Sequence, residues 1–179
     1  MTDTGEERRA LVLLRHAKAE PPHGDGPDVD RPLAARGRVD ATAAGAWLAR
    51  HELLPDVVLC SVALRTRQTW HQVETGMTGV RAEGGTAGPT PVVRYEKDAY
   101  EAHPEDLLEL VRRVDPCART VLLVAHNPGI SLLSALLAPQ RADPDGLRTS
   151  DIVVHHPTVA WSELGRATAP IDVRHTARG

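Results

Sequence analysis

The sequence predicts an α/β domain, a three-layer α/β/α sandwich with helices on both faces of a mostly parallel central sheet. Two observations carry this. Short, continuous apolar runs recur along the chain, too short for helices and too uniformly apolar for half-exposed strands. Between them lie longer stretches with helical spacing or helix-opening residues, the alternation expected of βαβ units.

Taken in order, residues 10–14, ALVLL, read as a buried strand, and residues 20–32, dense in Pro, Gly and Asp, as a loop. From 34 to 50 the pattern turns helical. Val39, Ala43 and Trp47 are expected on its buried face, with Gly37 and Gly45 weakening the helix. Pro55 breaks the chain, 57–60 make a second strand, and a helix is expected from about residue 63 into the 70s. The stretch GMTGVRAEGGTAGP, 76–89, carries five glycines and is expected to be a flexible connection without regular structure, not a domain boundary. PVVRY, 91–95, is a third strand. Pro104, followed by Glu105 and Asp106, opens a helix with Leu107, Leu108, Val111 and Val114 on its apolar face. TVLLVA, 120–125, is the clearest buried strand and leads into a helix over 129–138. Two more strands are expected near 151–155 and 158–164. Residues 1–179 therefore read as a single domain with its core over about 10–165.

Composition narrows the function classes. A chain of 179 residues can bury a real core, and with no Phe and 3% aromatics it must be built from Leu, Val, Ile and Ala. A net charge of −3 with scattered Lys and Arg argues against a nucleic-acid surface. Cys60 lies in an apolar run and Cys117 follows a proline, so both read as reduced thiols. The start, MTDTGEERR, is polar and has no apolar segment behind a basic stretch. No run reaches membrane-spanning length, so the expectation is a soluble cytoplasmic protein with no membrane partner.

In open parallel sheets the ligand site lies beyond the carboxyl ends of the strands. The first strand runs into Arg15 and His16, the second into SVALRTRQT with Ser61, Arg65 and Gln68, and the fourth into His126 and Asn127. Each residue alone suits an ordinary surface. Together they bring several cations to one edge, where they repel and lose hydration unless an anion is present. Two guanidinium forks and two imidazoles complement a dianionic phosphate.

LRHAKAE, SVALRTRQT and VAHNPG, in that order on a βα pattern, resemble the motifs of the histidine phosphatase superfamily, with its phosphoglycerate mutase-like fold. The short chain, RHAK, DRPLAARG and HNPGIS are most similar to its SixA-type phosphohistidine phosphatase branch. The resemblance implies that His16 is the nucleophile, a neutral imidazole with one nitrogen free and the other donating to a backbone carbonyl. Nearby arginines would disfavour the imidazolium form. Arg15 and Arg65 would grip the non-bridging oxygens, with His126 as a further donor and the backbone N–H of Asn127 reaching phosphate. Water would then hydrolyse the phosphohistidine intermediate. No metal and no other cofactor is implied.

The general acid is the open position. RYEKDAYEAHPED offers Glu96, Asp98, Glu101, Glu105 and Asp106. Glu105 and Asp106 are better explained as helix-opening residues, leaving Glu101 as the preferred candidate and Asp98 next. The family's more typical acid-bearing motif with its glycine partner is absent. A phosphoramidate suffers least from a missing acid, because protonated imidazole leaves as a neutral molecule. That favours a phosphorylated substrate such as a phosphohistidine protein. Lys18 and Glu20 stand beside the site as rim or plain loop charges, and Ser61 reads equally as a helix cap or a ligand.

The enzymatic alternative is a small-molecule phosphomonoesterase acting on a sugar phosphate or nucleotide. A mutase would need a lid for which the chain has little length. A non-catalytic phosphate-binding module would not need both His16 and His126. Zinc catalysis fits poorly: HELLP, 51–55, lacks the second histidine of a metalloprotease helix, and His155 and His156 on one strand point to opposite faces. A P-loop and a dinucleotide fingerprint are absent. The oligomeric state is not legible, and a monomer is compatible with all of this.

Overall fold

The structure, a computed structural model, describes residues 8–84 and 88–179. Six strands form one sheet in the order β3-β2-β4-β1-β5-β6. The strands are β1 (Ala10–Arg15), β2 (Val57–Ser61), β3 (Val92–Glu96), β4 (Thr120–Ala125), β5 (Asp151–His155) and β6 (Ile171–Thr176). β1 to β4 pair in parallel, and β5 runs antiparallel to both β1 and β6. The helices are α1 (Ala35–Arg50), α2 (Leu64–Ala82), α3 (Pro104–Arg112) and α4 (Gly129–Leu137).

Alternation along the strands splits the core into the two halves of a sandwich. Leu11, Leu13, Leu59, Val121 and Leu123 pack with Leu107 and Val111 of α3 and Ile130 and Leu133 of α4. Val12, Leu14, Val58, Leu122 and Val124 pack on the other face with Leu48 of α1 and Trp70 and Val73 of α2. The strands look uniformly apolar because both faces are covered.

Several local expectations are corrected. The buried residues of α1 are Gly37, Asp40, Ala41, Ala44, Gly45 and Leu48, whereas Val39 is 52% exposed and Trp47 lies half-buried, stacked on His51 and His175. The reason is close helix packing. A Cβ on Gly45 would sit 1.9 Å from the Val73 carbonyl oxygen of α2, and one on Gly76 would sit 2.0 Å from that of Thr42. The seam selects small residues, which a search for large apolar ones passes over. For the same reason 76–82 is helix and not irregular connection; residues 85–87 of that stretch lie outside the described residues. The expected strand at 158–164 is instead loop with a 3-10 turn (Trp161–Glu163), its indole donating to the Ala118 carbonyl at 2.8 Å. The sixth strand is β6, so the sheet continues past residue 165. Its sequence, IDVRHT, is polar because it forms an edge, so no apolar run announces it.

Candidate active site

The carboxyl ends of β2, β4 and β1 lie side by side, and each delivers part of one pocket. His16 follows β1, its backbone N–H donating to the Ala125 carbonyl at 3.1 Å. Its Nδ1 lies 2.8 Å from the Ala17 carbonyl oxygen. A carbonyl only accepts, so Nδ1 carries the proton and Nε2 keeps a free lone pair. Burial pushes the imidazole down to about 4, the Ala17 bond opposes that shift, and Arg65, Arg15 and Arg31 reinforce it. His16 is therefore neutral at pH 7. Ala17 is itself fixed, because its N–H donates to Thr69 Oγ1 at 3.0 Å while that hydroxyl donates to the Arg65 carbonyl at 2.7 Å. Gln68 accepts from the Leu33 N–H at 2.8 Å and ties the 20–34 loop to α2. Thr69 and Gln68 hold the pocket's backbone in place.

His126 follows β4, and its ring centroid lies 5.2 Å from that of His16. Ser61, the last residue of β2, places Oγ 2.7 Å from His126 Nε2, and the Ala63 N–H approaches that oxygen at 3.4 Å. Ser61 thus serves His126, and the α2 N-terminus has no side-chain cap. Either ring tautomer satisfies this bond; the one in which the serine hydroxyl donates to Nε2 puts the proton on Nδ1, which is buried without a partner. Burial, then the neighbouring His16 and Arg65, push His126 down to about 3.

Arg15 donates through Nη1 to the Leu147 carbonyl at 2.8 Å. Arg65, 5% exposed, donates Nη1 to the Asp28 carbonyl at 2.8 Å and Nη2 to Asp28 Oδ2 at 2.9 Å. Five buried side-chain polar atoms among the described residues lack a partner: Arg15 Nε, Arg31 Nε, Arg65 Nε, His126 Nδ1 and Ser150 Oγ. The first four belong to side chains of this pocket or its rim. Ser150 lies beneath it, its backbone N–H shared between the carbonyls of Arg15 and His16. Folded proteins rarely leave buried donors unmatched, and nitrogens gathered this way suit an anionic ligand.

The structure thus brings together Arg15, His16, Arg65 and His126 from three strand ends. Asn127 sits beside them, but its side chain is a strut: Nδ2 donates to the Leu147 carbonyl at 2.8 Å and Oδ1 accepts from Ser131. Any phosphate contact falls to its backbone N–H. Glu101 is exposed, without a side-chain hydrogen bond among the described residues, and sits at φ 52°, a left-handed conformation that glutamate seldom adopts. Asp98 is exposed, Glu96 pairs with Arg94, and Asp106 accepts from the His103 N–H at the start of α3. The Lys18 side chain is exposed, and the Glu20 carbonyl accepts from Arg31.

Sequence reasoning gave no site role to Asp28, Arg31 or Tyr100. Asp28 is held below the usual carboxylate range, first by the hydrogen bond from Tyr100 and then by Arg65 and Arg31, against the opposing effect of burial. The Tyr100 ring meets His126 edge-on, with centroids 5.6 Å apart. The sequence signal was the Asp28–Arg31 pair within DVDRP, a short-range ion pair in a stretch otherwise written off as loop. Among the described residues no group of three or more His, Cys, Asp or Glu side chains is placed to hold a metal ion, and no helix is long and apolar enough to cross a membrane. Cys60 is buried with its thiol pushed up to about 12, while Cys117 is exposed.

Residues 11–83 match the family model of the histidine phosphatase superfamily, branch 1. A solved structure from Nakamurella multipartitia, designated a candidate SixA phosphohistidine phosphatase, is 33% identical, with a TM-score of 0.76 over 95% of this chain and 96% of the other. The chain belongs to the histidine phosphatase superfamily. Membership supports phosphatase activity, of the hydrolase class. An uncharacterised protein of Mycobacterium tuberculosis is 39% identical over 125 residues, 70% of each chain. A tungstate complex of the protein histidine phosphatase SixA has the same fold, with a TM-score of 0.71 at 20% identity over 93% of this chain and 96% of that one. The matched family segment begins in β1 and ends after α2, so it contains Arg15, His16 and Arg65; His126 joins them through β4.

Proposed function

We propose that this histidine phosphatase is metal-independent and transfers a phosphoryl group from a phosphohistidine-type substrate to Nε2 of His16, and then to water. In the first step the bond from phosphorus to the leaving imidazole breaks, the bond to Nε2 forms, and the departing ring takes a proton from solvent water. In the second, water attacks phosphorus, the Nε2 bond breaks, and inorganic phosphate leaves. Arg15, Arg65 and Nδ1 of His126 donate to the non-bridging oxygens in both steps, with the backbone N–H of Asn127 alongside. The observation that carries this reading is one neutral imidazole with a free Nε2 among buried nitrogens that lack partners.

The preference for phosphohistidine rests on the acid. Glu101 and Asp98 are exposed and unanchored, a poor arrangement for protonating an alkoxide, whereas imidazole leaves readily once protonated. The 33% identical SixA-type relative supports the same substrate class. A small-molecule phosphomonoesterase is the second reading. Its support is the left-handed backbone of Glu101, since such conformations cluster where a side chain must be aimed.

The test compares wild type with His16→Ala on a phosphohistidine peptide and on 4-nitrophenyl phosphate, with and without EDTA. Expected are a loss of at least about a thousandfold in the variant, no effect of EDTA, and an acid-labile phosphoryl adduct on wild type alone. Turnover unchanged by His16→Ala overturns the mechanism, and esters favoured by orders of magnitude overturn the substrate class.

A further inference from the structure

Asp28 opens the 3-10 turn Asp28–Asp30, and it is gripped from three sides. Arg65 Nη2 and the Tyr100 hydroxyl donate to Oδ2 at 2.9 and 2.8 Å, and Arg31 Nη2 lies 3.3 Å from Oδ1. The side chain remains 47% exposed, so it belongs to the open rim although its principal partner is buried. Oδ2 already accepts two hydrogen bonds. Oδ1 has one longer contact and keeps acceptor capacity toward the opening.

Two consequences follow from charge. Three guanidiniums and one carboxylate, with both histidines neutral, leave a net charge that matches a dianionic phosphoryl group. A second anion close to that phosphorus would meet the Asp28 carboxylate. Asp28 also lines a shallow groove with Pro22, His23, Pro27 and Arg31, so it borders both the phosphate pocket and an adjoining surface.

We propose that Asp28 is a specificity-determining residue. Its carboxylate favours phosphoryl groups carried on a leaving group with an N–H or a positive charge, such as imidazole, and rejects phosphate esters whose leaving group bears a second anion. The attraction is a charge-assisted hydrogen bond to the departing ring, and the rejection is like-charge repulsion at the rim. Holding Arg65 would slow or speed every substrate alike, whereas a charge filter changes their ratio. The inference rests on the proposed phosphate pocket.

The test uses a matched, non-hydrolysable pair, phenylphosphonate and 3-carboxyphenylphosphonate, titrated by calorimetry into wild type, Asp28→Asn and Asp28→Ser after inorganic phosphate. Wild type is expected to bind the carboxylated compound about tenfold more weakly, and both variants to bring the two within about twofold. On a phosphohistidine peptide, kcat/KM relative to phenyl phosphate falls about tenfold in Asp28→Asn. Equal affinities in wild type, or a ratio untouched by both substitutions, overturn the role of Asp28. A uniform loss for both phosphonates also overturns it, since that is positioning alone. Failure of inorganic phosphate to bind defeats the pocket itself. Phosphate binding with an unselective pair defeats only the filter.

Discussion

Three histidines are buried in neutral form, and lowering the pH from 7 to 5 should expose the cost. His16 and His155 are pushed down to about 4 and His126 to about 3, burial being the main cause in each. His155 is fully satisfied in that state, with Nδ1 2.7 Å from the Ala169 carbonyl and Nε2 2.9 Å from the Ser134 hydroxyl. In the unfolded chain each would titrate near 6.5. Between pH 6.5 and 4 the unfolded state therefore binds more protons than the folded one. Stability is fully present above this window and drains away as the pH falls through it. At pH 5 each histidine contributes a loss on the order of 2 kcal/mol. Water reaching the open pocket trims the shares of His16 and His126, leaving about 4–6 kcal/mol in all, a large part of a typical domain's stability. Asp28 is held below the usual carboxylate range, so its own linkage acts at lower pH than the comparison of pH 7 with pH 5. Urea unfolding at both pH values, in a buffer free of phosphate, measures the difference. His155→Gln should lower total stability yet shrink the pH-dependent part by about a third to a half. A midpoint that does not move between pH 7 and 5 would refute the reasoning, as would one that rises.

Arg65→Lys keeps the charge but loses the fork that reaches Asp28 and the pocket together, so kcat/KM should fall about 100–1000-fold with the fold retained by circular dichroism. Glu101→Gln should change turnover of both a phosphohistidine peptide and an alkyl phosphate by less than about threefold, because the carboxylate is exposed and unanchored; a loss of about 100-fold confined to the alkyl phosphate would instead make Glu101 an acid specific to esters. Gly45→Ala places a methyl 1.9 Å from the Val73 carbonyl oxygen and should cost about 3 kcal/mol in denaturant unfolding, whereas Gly79→Ala, with nothing within 4 Å, should be neutral or stabilising by up to about 1 kcal/mol.

Much of the site was legible because its chemistry sits at strand ends. A parallel strand covered on both faces is a continuous apolar run, so the point where ALVLL gives way to Arg15 and His16, or TVLLVA to His126, marks the sheet's carboxyl edge without any coordinates. The tertiary structure decided what depends on partners distant in the chain. Ser61 becomes a partner of His126 only because β2 and β4 are neighbours, and Asp28 becomes a partner of Arg65 and Tyr100 only because the 20–34 loop folds back over α2. The seam between α1 and α2 was hidden for a related reason: close backbone approach selects glycine and alanine, and their lack of side chain leaves no hydrophobic period to read. β6 was hidden because an edge strand needs only one neighbour and tolerates a polar sequence. The sequence by itself determined the fold class, the edge that carries the candidate site and the gathering there of Arg15, His16, Arg65 and His126, since burial pattern and charge are local properties of the chain. Only the tertiary structure decided that Nε2 is the free nitrogen of His16 and which anion answers Arg65, because hydrogen-bond partners and electric fields belong to the packed molecule.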